Sequence, residues 1–222
     1  MFKKDAKEAA PIMQRSLKAL VAAVPSRGHQ GADLRTACGV LRVKAETLIQ
    51  ADAAGPPLAE CFDLARKAGI TQAQLATVRT ETASEKPVTL GAMMIKDSII
   101  GICLTTEARV IADMTFTSRE DIDALKAQMN AIFAPVEEML ADEMDQMTFQ
   151  AMVALHAAII FFLIDTGRPL PRMLKFAFSR SMPTLVTAHR LYADAGRADQ
   201  LRDENKVVHP AFMRPTGRAL SA

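Results

Sequence analysis

Residues 173–194 read MLKFAFSRSMPTLVTAHRLYAD. Residues 173–178 alternate in character about Lys175, which predicts a short strand. Pro183 and Thr184 then open a helix that runs through Tyr192. Ala195-Gly196 turns the chain, and residues 197–204 form a second short helix. A loop begins at Asn205, and a last strand is expected near residues 218–221. The order is therefore strand–helix–helix–strand. Leu185, Ala188, Leu191, Tyr192, Leu201 and Val207 supply the expected core of a module of roughly 50 residues, a size that is marginal alone. Arg190 and Asp194, four apart, can pair across a helix turn, for only a few tenths of a kcal/mol. Asn205 tolerates the left-handed conformation needed to leave a helix, and Pro210 fixes the loop after it.

Upstream the grammar is helical. Residues 6–24 predict a first helix, ending at Val24-Pro25 and followed by Gly28 and Gly31 in the connection. Asp33 is placed to cap a second helix through about Ala53, stopped by Gly55-Pro56-Pro57. A short helix to Lys67 follows, with Gly69 at its C′ position. Thr71 opens a fourth helix, which fades over residues 80–86. Residues 88–114 are so densely apolar that a helix buried on most sides is expected. Ser118 reads as an N-cap with Asp121 in the first turn. Ile122, Leu125, Met129, Ile132, Val136 and Met139 then form one helical stripe, too short for a coiled coil and suited to a bundle. Pro135 inside that stripe predicts a kink or a restart. A last long helix is expected over residues 144–164. Its apolar run from 151 to 164 falls short of the ~20 residues of a membrane span. It is read as a core helix of a soluble protein. The fold class is thus mainly α, with residues 1–168 as a helical bundle and 169–222 as a small α+β module.

Composition narrows the function classes. The 222 residues are half hydrophobic, with 13 Met, 10 Phe, one Tyr and no Trp. Met suits adaptable helix–helix contacts better than sharply specified pockets. From Thr166 onward ten Lys/Arg face four Asp/Glu, a net of +6, whereas residues 1–165 carry a net of −4. Cys38, Cys61 and Cys103 lack any CxxC and are expected as buried free thiols in a reducing compartment. No h-region follows the charged N-terminus, so no signal peptide is read.

No motif names an acid, a base or a nucleophile, and no HExxH, GxSxG, P-loop or GxGxxG occurs. No catalytic residue, cofactor or metal ligand is assigned, and His156 is expected as a hydrogen-bonded core residue. Glu137, Glu138, Asp142, Glu143 and Asp145 form an acidic patch, expected as a solvated face. A docking role against the basic module of a neighbouring copy is the competing reading of that patch.

Thr184-Leu185, Ala188, Tyr192, Ala193 and Asp194 resemble the T-L-x-x-I-A-x-x-x-Y-G-D helix of a LysM module. Asn205, Val207, Pro210, Met213, Gly217 and Leu220 are similar to its later segment. Ala193 stands where that family has Gly, and Ser181-Met182-Pro183 replaces its Gly-Asp. The last strand is also shortened, and these departures point away from sugar recognition. The passage Met182-Pro183-Thr184-Leu185-Val186, Ala188, Arg190-Leu191-Tyr192, Asp194, Arg197, Leu201, Asn205, His209-Pro210, Phe212, Pro215, Gly217 and Leu220 resembles more closely the C-terminal region of the DNA-circularisation protein family of Mu-like phages. The β-rich N-terminal domain usual in that family is not seen here.

This resemblance implies a structural component of a phage or phage-like tail or baseplate, assembled in the host cytoplasm and carried in the virion. It implies docking to hub, tube or wedge subunits in several copies through the LysM-like module, without a membrane. Arg190, Tyr192, Asp194, Asn205, His209, Pro210 and Phe212 are the expected partner interface. Peptidoglycan binding, alone or as an accessory of a cell-wall hydrolase, is the alternative. A nucleic-acid partner ranks last, because the basic residues lack an interleaved aromatic platform.

Overall fold

The computed structural model describes residues 2–24, 28–142 and 146–221, and the protein is mainly helical with one small sheet. It divides into two compact units, Met1–Met114 and Thr115–Ala222. The sequence reading divides the chain at 168/169 instead, the point within the second unit where long helices give way to the small α+β module.

The first unit contains α1 (Lys3–Ala23), α2 (His29–Gln50), α3 (Gly55–Lys67), α4 (Gln72–Ala83) and α5 (Leu90–Ala112). α1 is its hub and packs against each of the other four. Its inward face runs Ala6, Ala9, Ala10, Met13, Leu17 and Leu20, all buried. Alanines over the first two turns let neighbouring helices approach closely, and larger side chains fill the space further on. The core continues through Leu34, Cys38, Leu41 and Ile49 of α2, Leu58, Cys61 and Phe62 of α3, Leu75 and Val78 of α4, and Ile99 and Cys103 of α5.

Several local signals act as expected. The Gly69 φ of 84° ends α3, and Thr71 and Gln74 form a complete capping box on α4. All three thiols are free and buried. Three readings are corrected. α2 begins at His29 rather than at Asp33, so Asp33 lies one turn inside the helix, paired with His29 at 2.9 Å. Gly55-Pro56-Pro57 starts α3 rather than only ending α2, because proline in a first turn removes donors that have no partner there. The first turns of α5 are open, with Leu90 and Met94 exposed, although the helix is buried further along. Pro25 lies outside the described residues.

Two side chains of this unit hold helices together over long sequence separations. Glu8 of α1 accepts hydrogen bonds from the Val88 and Thr89 amides at 2.7 and 2.9 Å, supplying a carboxylate cap to α5. Glu107 of α5 is buried and bonded to Arg79 Nε at 2.8 Å, with Gln72 at 3.4 Å. Burial pushes the Glu107 carboxyl above the ordinary carboxylate range, and Arg79 pulls it back only in part.

In the second unit, α6 (Arg119–Asp142) and α7 (Gln146–Gly167) form a hairpin. Ser118 caps α6, its hydroxyl accepting from the Asp121 amide at 3.2 Å and donating to Oδ2 of the same residue at 2.7 Å. α6 runs through Pro135 without a restart. Its buried stripe is Ile122, Leu125, Met129, Phe133 and Leu140. Phe133 and Leu140 therefore replace Ile132 and Met139 of the expected stripe, as a period of 3.6 rather than 3.5 requires. His156 of α7 is held from both ring nitrogens, Nδ1 to Glu137 Oε1 at 2.8 Å and Nε2 to Asn130 Oδ1 at 2.9 Å. It also stacks on Phe133 at 4.6 Å.

The apolar helix α7 departs from expectation. Met152, Ile159, Leu163 and Gly167 are buried, but only 17% of its most apolar 18-residue window is. By length and composition α7 could cross a membrane. Dense apolar content marks a helix that needs cover, but it does not fix how much of that cover its own unit supplies. The expected start at Met144 lies outside the described residues.

The rest of the unit is β1 (Met173–Ala177), α8 (Thr184–Tyr192), a 3-10 turn (Ala195–Arg197), α9 (Ala198–Glu204) and β2 (Thr216–Leu220). β1 and β2 pair antiparallel, with Phe176 opposite Gly217 and Lys175 opposite Arg218. Phe176, Ala188, Ala198, Leu201, Met213 and Ala219 form its core. The module is tied to α6 through the Arg119 amide on the Pro171 carbonyl at 3.1 Å and the Met173 amide on Glu120 Oε2 at 2.6 Å.

The buried Arg79–Glu107 pair gives a test. Arg79→Met leaves a carboxylate without its cation and is expected to cost about 3–5 kcal/mol at pH 7. A carboxyl whose folded pKa is raised binds its proton more tightly in the folded state, so its contribution falls as pH rises through that pKa. The variant should therefore regain part of its stability between pH 7 and pH 5, more than the parent does, in urea unfolding followed by circular dichroism.

Candidate docking surface

The surface of the α+β module is built on a clip. The segment before α8 is fastened to the segment before β2 by the Phe178 amide on the Pro215 carbonyl at 2.7 Å and the Met213 amide on the Met182 carbonyl at 3.0 Å. The Thr184 amide and hydroxyl both donate to the Pro210 carbonyl, at 2.7 and 3.1 Å. Residues 209–212 thereby form a turn seated at the start of α8, closed by the Phe212 amide on the His209 carbonyl at 3.0 Å.

This turn presents apolar groups to solvent. Phe212 is 72% exposed and its ring lies 5.3 Å from that of His209. Val208 beside it is 99% exposed. On α8, Leu185 is 59% exposed, and Val186, His189 and Arg190 share its outward face. Leu185, Val186, His189 and Arg190 stand at spacings of one and four, so one helix face carries them all. An apolar patch with His and Arg at its edge, held by backbone hydrogen bonds, has the make-up of a protein-binding surface.

The seven interface residues expected from the sequence separate into two groups. Arg190, His209, Pro210 and Phe212 belong to this surface. Tyr192, Asp194 and Asn205 instead hold the module together. The Tyr192 ring is covered by the Arg197 guanidinium at 3.7 Å, and burial raises the Tyr192 hydroxyl pKa while Arg197 opposes the rise. Asp194 lies beyond the last turn of α8, where helical pairing with Arg190 ends. Its Oδ1 accepts from the Gly196 amide at 2.8 Å and so caps the 3-10 turn.

Asn205 is not left-handed, its φ being −100°; Lys206 takes that conformation at φ 50°. The reason lies in the Asn205 side chain. Its Nδ2 donates to the Leu201 and Arg218 carbonyls at 2.8 and 2.7 Å, and its Oδ1 accepts from the Arg218 amide at 2.8 Å. Sequence reasoning missed Leu185, Val186 and Val208 as surface residues. Leu185, expected in the core, stands outside, and His189 and Arg190 at i+4 and i+5 are the signal for that face.

No protein-family model matches the chain, and no curated protein is found similar to it.

Two backbone positions test this architecture. Ala193 ends α8 at φ 57°, a conformation that costs a residue with a Cβ about 1 kcal/mol. Ala193→Gly should therefore raise the midpoint of thermal unfolding, by roughly 0.5–1 kcal/mol in stability. At Gly217 a Cβ would lie 2.6 Å from Phe176 Cζ and collide with Asn205 Oδ1. Gly217→Ala should destabilise the module by about 1–3 kcal/mol. Unchanged unfolding curves for both variants would contradict the geometry.

Proposed function

We propose that the chain is a non-enzymatic structural component of a phage or phage-like tail or baseplate. In this reading the C-terminal module, LysM-like in its strand–helix–helix–strand order, docks onto hub, tube or wedge subunits. The carrying observation is the exposed turn of residues 208–212 beside Leu185 and Val186. Arg190, His209, Pro210 and Phe212, which match the phage-family passage, belong to that surface, and a family signature kept on exposed apolar residues suits recognition better than packing. Tyr192, Asp194 and Asn205 of the same passage serve the module's own fold, which is what a shared scaffold requires.

The reading is tested by passing purified hub, tube and wedge proteins of a Mu-like tail over the immobilised chain. Saturable binding to one of them is expected, weakened at least tenfold by Phe212→Ser combined with Leu185→Ser, with the helical circular dichroism unchanged. Both residues are exposed, so the double variant should fold. Absence of binding to all three, together with saturable retention on purified peptidoglycan, would overturn the proposal in favour of the cell-wall alternative.

A further inference from the structure

α7 is apolar all round, and within its unit it is packed by α6 on one side only. The opposite side carries Met147, Ala151, Ala154, Ala158 and Phe161, at alternating spacings of four and three. Those spacings are the seven-residue period of a helix–helix seam. Met147 is 84% and Phe161 69% exposed, and no Asp, Glu, Lys or Arg occurs between Gln146 and Ile164. From the geometry of a 22-residue helix, half of its surface is a strip about 33 Å long and on the order of 600 Å². Exposed apolar strips of that size mark interaction sites.

Two features choose the occupant. A lipid bilayer is a poor fit, because α7 is bound through His156 to Glu137 and Asn130 of α6, and α6 exposes Asp123, Gln128, Glu138 and Asp142. Taking α7 into hydrocarbon would bring those groups along. The two large side chains of the strip lie at equal distances from its centre. Met147 and Phe161 each stand seven residues from Ala154, with small residues between. Against an antiparallel copy, Met147 therefore meets Phe161 twice, Ala154 meets Ala154, Ala151 meets Ala157, and Ala158 meets Gln150. The alanines let the two axes come close, and sulfur–aromatic contacts close both ends. Two such strips bury on the order of 1,200 Å² together, within the range of stable interfaces.

We infer that the chain pairs with a second copy of itself through an antiparallel, two-fold contact of α7, centred on Ala154. This contact is separate from the docking surface of the α+β module and stands whether or not that surface binds a tail subunit.

Light scattering of the full chain after size exclusion, at tens of micromolar, should give twice the 24.1 kDa of one chain. Ala154→Glu, at an exposed site, should give a monomer and raise the dissociation constant at least 100-fold with unchanged circular dichroism, while Phe212→Ser should leave the dimer intact. Under mild oxidation, a mixture of Met147→Cys and Phe161→Cys chains should cross-link to each other, and Ala154→Cys should cross-link to itself. A monomeric parent, a dimer insensitive to Ala154→Glu, or Met147→Cys chains that cross-link among themselves as readily as with Phe161→Cys chains would overturn the inference. So would flotation of the parent as a monomer with phosphatidylglycerol-containing vesicles.

Discussion

The amide of Asn205 uses both its donor and its acceptor side on backbone, bridging the Leu201 carbonyl of α9 to the amide and carbonyl of Arg218 in β2. A side chain here acts as a missing strand neighbour would, and joins a helix to a two-stranded sheet too small to stand alone. Everything exposed on the module depends on that join. The chain between Asn205 and β2 is the loop that carries Val208, His209 and Phe212, and its two ends are fixed by the same residue. Gly217 completes the arrangement, since only a residue without a side chain lets Phe176 and Asn205 meet over the strand.

Much of the fold was legible from residue order alone. The sequence places α8 at residues 184–192, opens α4 at Thr71 and ends α3 at Gly69, as the structure has them. These are local devices, in which a few adjacent residues determine the outcome. The readings that differ from the structure turn on where an element ends or on what lies against it. Asn205 has the chemistry of a left-handed cap and also that of a backbone clip, and only the position of Arg218 decides between them. Arg190 and Asp194 have the right spacing for a helical pair, but the helix stops first. Leu185 has the composition of a core residue on a helix whose inward face is taken by Thr184, Thr187 and Ala188.

The same limit explains α7. Its sequence states plainly that it is apolar, and from that a buried helix follows if cover exists. Whether cover comes from the same unit, another chain or a solvent of lipid does not follow from apolar content alone. Of the acidic patch that follows the α6 stripe, Glu137 turns inward to His156, while Glu138 and Asp142 remain on the surface. Glu143 and Asp145 fall outside the described residues. Periodicity distinguishes such neighbours only when the partner face is known.

The place of α1 at the hub of the first unit bears on how the chain is made. Glu8 reaches the amides of Val88 and Thr89, 80 and 81 residues later, and α1 touches every other helix of that unit. On a ribosome adding roughly 5–20 residues per second, α1 waits several seconds for the last of its neighbours in the unit. During that interval its alanine and leucine face has no native partner. The first unit is thus expected to gain its stability in one late step, when α5 clears the exit tunnel, rather than helix by helix. A chaperone that shelters short apolar segments would find its substrate in those first twenty or so residues.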